Sequence, residues 1–336
     1  MLLTLATVLQ IGVFGLFHPQ RLIVKPVGGE VLSIHTNGKE RELPGGRAAS
    51  FVRHESEIDS VVGGQLETSR DVMIEGRGAR PARFTLAVEG KIERRFYGRL
   101  RVTVRSGSGS IAELQPVLEI DLEDAVASTV AAEVPGGTHP EMLKAMAVLA
   151  RSYYVASKAR HNGFDFCDTT HCQFHRELPD SRSPAAIATS ETRGLVLTFH
   201  DQPIAPLFFA SCDGRTRTLA ELGMKADAYP YYSVKCEHDV TVWSAELDRS
   251  AIELLDGTEA GRLAANRAAS GSGRPIWPVK SNSYEIRGST VIGKGEGHMA
   301  GFCQKGGDAR ARLGADWRSL VTAFFPGTAL KNISSQ

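Results

Sequence analysis

Four side chains suited to soft metals crowd into one short stretch: His161, Cys167, His171 and Cys172, with His175 just beyond. Thiolates and imidazoles at this density suit a tetrahedral zinc, although the spacing is not that of a standard zinc finger. A Cys167–Cys172 disulfide, natural in an exported protein, is the alternative, and a cysteine pair with free histidines is the plainest case. Four protein ligands would close the site and leave the metal a structural or substrate-orienting role. A second constellation surrounds "EVPGGTHPEMLKAMAVLARSYY". Glu133 is a lone carboxylate before a segment that is apolar on almost every face yet carries Lys144 and Arg151. Those two cations are seven residues apart and share one helical stripe. A buried unpaired charge is costly, so they require acids, carbonyls or a polar cleft; snorkelling to an edge is the competing account. A third candidate is His298 in "GKGEGHMAG", where glycines let the backbone approach a ligand closely and the imidazole could bond a hydroxyl or assist proton transfer. The alternative there is a packed, structural histidine. Cys212 and Cys236 both follow strand-like runs and could pair, but spacing does not decide it.

The elements that must position these groups fall into two stretches. Residues 1–117 are β-rich: "RLIVKPVGGEVLSIHT", "ARFTLAVEG" and "RFYGRLRVTVRSGSGSIAELQPV" alternate, with turns at Gly28-Gly29, Asn37-Gly38 and Ser106–Ser110. The segment from Arg77 to Arg105 is rich in arginine and reads as solvated strand faces, with a glycan-binding surface as the sharper alternative. Leu118–Ala132 reads as a strand or short helix, broken by Pro135-Gly136-Gly137. Thr138 and Glu141 form a capping-box pattern with Pro140 in the first turn, which starts a helix running to about Arg160. A second helix is expected from Pro184, capped by Ser183, to Arg193. Two strands follow around an Asp201-Gln202 turn. Residues 244–274 are Ala-rich and read as a helical insertion, then comes a strand with the Gly-rich loop, and helices around Asp308–Leu313 and Asp316–Phe324 close the chain. No internal repeat is visible.

The chain has 336 residues, 42% of them hydrophobic, enough for a sizeable core and two domains. The formal net charge of +1 argues against a dedicated nucleic-acid partner. The N-terminal "MLLTLATVLQIGVFGLFHP" lacks a basic leader region and is too short for a membrane span, so it reads as a buried strand or hairpin rather than a signal peptide. Five cysteines are too few, and odd in number, for a disulfide scaffold.

Several stretches, in order, resemble the SpoIID/LytB family of stage II sporulation protein D and amidase-enhancer proteins. "PEMLKAMAVLARSYY" resembles the family helix "P-x-E-A-L-K-A-Q-A-V-A-A-R-T-Y", and "AAEVPGG" its preceding "x-x-E-M-P-x-S". "GFDFCDTTHCQFH" resembles "G-Y-D-L-C-D-T-T-H-C-Q-V-Y". "GKGEGHMAGFCQKGG" resembles "G-x-G-x-G-H-G-V-G-M-S-Q-x-G-A", and "FFPGTAL" resembles "Y-Y-P-G-T". The match spans about Leu118 to Ala329. It departs at Met146 (usually Gln), Ser152 (Thr), Asp213 (Gly), Met299-Ala300 (Gly-Val) and Cys303 (Ser).

The resemblance implies an α+β fold: a β-rich N-terminal module, 1–117, and a SpoIID-like core, 118–336, with a long buried helix lining a cleft and an insertion at 244–274. It implies a peptidoglycan lytic transglycosylase that cleaves between N-acetylmuramic acid and N-acetylglucosamine, prefers glycan stripped of stem peptides, and leaves 1,6-anhydro ends. Glu133 matches the catalytic acid, and Lys144, Arg151, Ser152, His298 and Gln304 fall at positions expected to contact substrate. Zinc at His161, Cys167, His171 and Cys172 follows from family members that carry it there. The expected partners are peptidoglycan glycan strands and a cell-wall amidase, not nucleic acid, and the expected location is extracytoplasmic. Two other functions fit the residues: a non-catalytic glycan-binding enhancer of an amidase, and a zinc-dependent hydrolase. For an acid working alone the pKa must be raised, so neither Lys144 nor Arg151 should pair tightly with Glu133.

Overall fold

A computed structural model describes residues 7–105, 112–270 and 276–333; the turn expected at Ser106–Ser110, the first six residues and the exit of the insertion at 271–275 lie outside them. By proximity the chain forms two compact units, Met1–Glu133 with Ser157–Ser190, and Val134–Ala156 with Glu191–Gln336. This grouping cuts the chain differently from the segments 1–117 and 118–336. The fold is α+β, with the strands concentrated in the N-terminal region.

The first unit is built on a twelve-stranded sheet. In chain order its first strands are β1 (Val8–Gly12), β2 (Arg21–Pro26), β3 (Leu32–Thr36), β4 (Lys39–Leu43), β5 (Ala49–His54) and β6 (Glu57–Val62). They are followed by β7 (Gln65–Ser69), β8 (Asp71–Gly76), β9 (Ala82–Val88), β10 (Ile92–Arg105) and β11 (Glu113–Asp121). Alternation decides the faces: in β9 and β10, Phe84, Leu86, Phe96, Leu100 and Val102 are buried while the arginines between them face outward or lie half-buried. The N-terminal apolar run is strand β1, held between β11, antiparallel, and the two-residue strand β12 (Phe166–Cys167), parallel. Strand β10 is long enough to serve two neighbours along one edge, β9 through residues 92–98 and β8 through 100–103, while β11 lines the other. The switch falls at Gly98, whose φ of 149° and whose missing Cβ, which would stand 2.6 Å from the Glu119 carbonyl, leave no room for another residue. Helix α1 (Leu122–Glu133) leaves β11 directly and packs on β11 and β1.

The second unit is organised by α2 (Pro140–Ala156), whose residues 142–143 and 145–154 are all buried. A helix that is apolar all round belongs in an interior. The Thr138/Glu141 capping box does not form. The Glu141 carboxylate accepts instead from Lys144 and from the Trp317 amide, at 2.8 and 2.9 Å, and Thr138 Oγ1 donates to the Pro135 carbonyl. The chain enters the helix at His139, whose carbonyl accepts the amides of Met142 and Leu143. The helix stops at Ala156, short of Arg160, because the following segment turns through Ala159 at φ 59°.

Beyond β12 comes α3 (Pro184–Glu191), capped by Ser183, whose Oγ accepts from the Ala186 amide. The second unit continues with β13 (Leu195–Phe199) and β14 (Gln202–Pro203), joined through the left-handed residues His200 and Asp201, and with β15 (Phe208–Phe209). The expected helical insertion opens with a strand, β16 (Val242–Glu246), before its helices α4 (Arg249–Ile252) and α5 (Glu259–Ser270). Trp243 makes the difference: it lies over Gly293, where a Cβ would stand 2.2 Å from its ring, so β16 pairs with β18 (Thr290–Lys294), which also pairs with β17 (Ser283–Arg287). The chain closes with β19 (Phe302–Cys303), α6 (Gln304–Arg312), α7 (Trp317–Phe324), capped by Asp316, and β20 (Ala329–Asn332). Helix α2 packs against β13, α6 and α7.

Replacing Gly98 by alanine forces a side chain onto a φ and a contact it cannot accept. The expected cost is about 1–3 kcal/mol, read as a lower denaturant midpoint with an unchanged slope.

Candidate active site and metal-ligating cluster

Glu133 is the last residue of α1. The carbonyl end of a helix carries partial negative charge, so this position already disfavours a carboxylate. Its Oε1 accepts from the Phe174 amide at 2.8 Å. Burial is the largest influence and pushes its pKa up; the Phe174 amide and the Arg176 guanidinium act in the opposite direction without reversing it.

The stretch that supplies this amide is fixed to α1. Ser128 Oγ donates to the Arg176 carbonyl at 2.7 Å and accepts the Arg176 amide at 3.0 Å. Phe174 is flanked by two cations: the Arg176 guanidinium lies 4.7 Å from its ring centre and that of Arg94 5.7 Å. Arg94, Arg95, Arg176 and Glu177 line an open groove of about 320 Å³, and a second hollow of about 430 Å³ lies along Arg83 and Glu177–Asp180. Arg94 is held at 3.2 Å by Asp168, a buried carboxyl that burial pushes up to about 6. His175 is buried, and burial pushes it down to about 3, so it is neutral at physiological pH.

The four Cys/His residues of this unit converge. One ligand atom from each of His161, Cys167, His171 and Cys172 falls within 4.8 Å of all the others. His161 Nε2 is 3.2 Å from Cys172 Sγ, and His171 Nδ1 is 3.7 and 3.6 Å from the sulfurs of Cys167 and Cys172. Metal–ligand bonds of about 2.0–2.3 Å set tetrahedral edges of roughly 3.3–3.8 Å, so this donor set fits a zinc ion. His175 is not part of the group. The set is carried by the edge of the large sheet, because Cys167 pairs with Gly12 of β1; Gly12 has no room for a Cβ, which would meet the Phe164 ring at 2.7 Å.

The other candidates belong to the second unit. Lys144 Nζ lies 2.8 Å from both Glu141 and Glu191, which raise its pKa. Arg151 has no exposed surface, and its guanidinium donates to the carbonyls of Ala147 and Leu195, at 3.4 and 3.1 Å. Ser152 is equally buried; its hydroxyl donates to the Val148 carbonyl and accepts the Leu197 amide, tying α2 to β13. Gln304 opens α6 and is nearly buried. His298 Nδ1 accepts the Ala300 amide at 3.1 Å, and burial lowers its pKa, so the neutral ring carries its proton on Nε2. In the segment read as an insertion, Arg262 is bidentate to Glu259 on α5.

Arg94, Asp168 and Arg176 were not among the sequence candidates. Arg94 lay inside the arginine-rich stretch read as solvated strand faces, and only the placement of the 173–176 segment brings it to Phe174.

Comparison with known proteins agrees with the sequence resemblance. A family model described as SpoIID, stage II sporulation protein, matches residues 110–199. Stage II sporulation protein D of Bacillus subtilis (strain 168) is 26% identical over 262 residues, covering 64% of this chain and 76% of that protein. An uncharacterised protein of Brachyspira hyodysenteriae is 24% identical over 248 residues, covering 63% of this chain and 67% of its own length. Stage II sporulation protein D of Bacillus amyloliquefaciens is 24% identical over 264 residues, covering 65% and 76%.

A carboxyl with a raised pKa in the folded state favours folding below the unfolded value and opposes it as pH rises through the folded value. Glu133→Gln keeps the acceptor for the Phe174 amide and removes the charge. The variant is therefore expected to be more stable than the parent at pH 7, with the gap closing on acidification to pH 4, as measured by urea midpoints across that range.

Proposed function

This chain belongs to the SpoIID family and has a cell-wall-related role, and on that premise we propose that it is a lytic transglycosylase acting on peptidoglycan glycan strands, with Glu133 as its single catalytic acid. The substrate is glycan stripped of stem peptides, cut between N-acetylmuramic acid and N-acetylglucosamine. The observation that supports this most is the environment of Glu133: a helix-end carboxyl, desolvated, with its pKa raised, held by the Phe174 amide two residues before Arg176 of the arginine-lined groove.

The chemistry suits a lone acid. The protonated carboxyl of Glu133 gives its proton to the glycosidic oxygen as the bond to the muramic acid C1 breaks. Positive charge develops at C1, and the C6 hydroxyl of the same sugar closes on it. The Glu133 carboxylate then takes the proton that this hydroxyl releases, which restores the acid and leaves a 1,6-anhydro end. No water is consumed, so the second carboxylate of a hydrolytic glycosidase is not required. Lys144 with its two glutamates, and Arg151 and Ser152 in the interior, fit a role in holding α2 rather than one in touching sugar. His298 accepts the Ala300 amide at Nδ1 and bonds the Phe208 backbone through its other nitrogen, which fits a role in fixing the Gly-rich loop.

Zinc would be held by His161, Cys167, His171 and Cys172. When bound it cross-links the loop that continues into the Phe174 amide donor, and its four protein ligands leave no position for a reactive water. That is an argument against the hydrolase reading. An extracytoplasmic site of action and a partner amidase are part of the same proposal; among the described residues no helix is long and apolar enough to cross a membrane.

Incubation with denuded glycan strands should yield anhydro-ended products by mass spectrometry, and Glu133→Gln should lower their rate by about 10²–10⁴-fold. Binding without products would favour the amidase-enhancer reading, and reducing-end products lost on chelation the hydrolase. Because the acid form is the active one at the start of the cycle, activity should fall on the alkaline side as Glu133 ionises. Arg176→Leu removes a cation that favours the ionised form, so the alkaline limb of kcat/KM should move to higher pH.

A further inference from the structure

We propose a second zinc site, independent of the first, formed in the second unit by Cys212, Cys236, His238 and Cys303. One ligand atom from each of these four falls within 4.8 Å of all the others. His238 Nε2 lies 3.2 Å from Cys212 Sγ and 3.4 Å from Cys303 Sγ. Tetrahedral zinc with three sulfurs and one nitrogen sets S···N edges of about 3.5 Å and S···S edges of about 3.8 Å, so the four donors are spaced for the ion.

The surroundings of the four donors are those of a metal site. The Asp239 carbonyl lies 3.0 Å from His238 Nδ1. A carbonyl only accepts, so Nδ1 carries the ring proton and Nε2 presents its lone pair to the sulfurs, the tautomer a metal requires. The amides of Cys212 and Gly306 both donate to Cys303 Sγ, at 3.3 and 3.4 Å, and Cys303 is the N-cap of the nine-residue helix α6. Gly306 leaves the space: a Cβ there would stand 2.0 Å from Cys236 Sγ and 3.4 Å from Cys303 Sγ. The three cysteines are buried while His238 is half-buried, which leaves one open side.

A Cys212–Cys236 disulfide uses two of the sulfurs and strands Cys303 and His238 beside it; zinc uses all four. The ion would staple three stretches that are far apart in sequence: the exit of β15, the 236–238 loop and the start of α6. Ser211, adjacent to Cys212, exchanges two backbone hydrogen bonds with Glu296 of the Gly-rich loop, so the staple would also brace the loop that carries His298. The staple would lie at the C-terminal ends of β15 and β19, where Phe208 and Phe209 pair in parallel with Phe302 and Cys303.

The test separates the two sites. In a Cys167→Ser/Cys172→Ser double variant the first set is gone, and elemental analysis should still find one zinc per chain, with a lower thermal midpoint after chelation. Adding Cys236→Ser should remove that zinc, and Gly306→Ala should weaken its retention against a competing chelator. Replacement by Co(II) in the double variant should give the thiolate charge-transfer bands of a three-sulfur site. X-ray absorption of the unaltered protein covers the case of a variant that does not fold: two zinc ions averaging about 2.5 sulfurs each, or one with three, support the site. A single zinc with two sulfurs, no zinc at all, or a Cys212–Cys236 disulfide in the peptide map overturns it.

Discussion

The hydrogen bond from the Phe174 amide to Glu133 is the constraint on which the candidate site depends. A carboxyl at the end of α1, largely withdrawn from water, is driven toward its neutral form by burial and by the helix carbonyls behind it. One amide and one nearby guanidinium pull the other way. The balance holds because Ser128 grips the Arg176 backbone through both its polar groups, so the donor segment cannot drift from α1.

The same segment is held upstream. Cys167 pairs into the edge of the large sheet beside β1, and the Cys/His cluster follows within a few residues. Seen this way, the apolar N-terminal strand and the candidate zinc ligands serve a single mechanical end: between them they set where the 173–176 stretch begins. Asp168, between two cluster residues, anchors Arg94 and accepts the Phe14 amide, which links that arginine to the same sheet edge.

The two cations on the α2 sequence have different fates, and the difference is instructive. Lys144, near the start of the helix, finds two glutamates and keeps some contact with water. Arg151, two turns on, has no exposed surface and donates to the carbonyls of Ala147 and of Leu195 in β13. Buried guanidinium is tolerated when its planar set of donors meets fixed acceptors. The apolar periodicity of α2 is compatible with both.

Much of this was legible in the residues themselves. Alternation in β9 and β10, the apolar sweep of α2 and the Ser183 cap are local signals, decided within a few residues by sterics and side-chain hydrogen bonds; the turn expected at Asp201-Gln202 falls one residue earlier, at His200-Asp201. The carboxylate at Glu133 and the cluster at His161–Cys172 were legible for the same reason, being close in sequence. What the tertiary structure alone decided were outcomes of competition at long range. The Glu141 carboxylate went to Lys144 and to a Trp317 amide 176 positions away, and the local capping box was lost. Trp243 found Gly293, which turned the start of an Ala-rich helical stretch into a strand. Arg94 met Phe174, and Cys212 came to lie beside Cys303 across 91 positions. Local propensity acts over a turn or two of chain, whereas these meetings are fixed by sheet register and core packing, which no short window of residues contains.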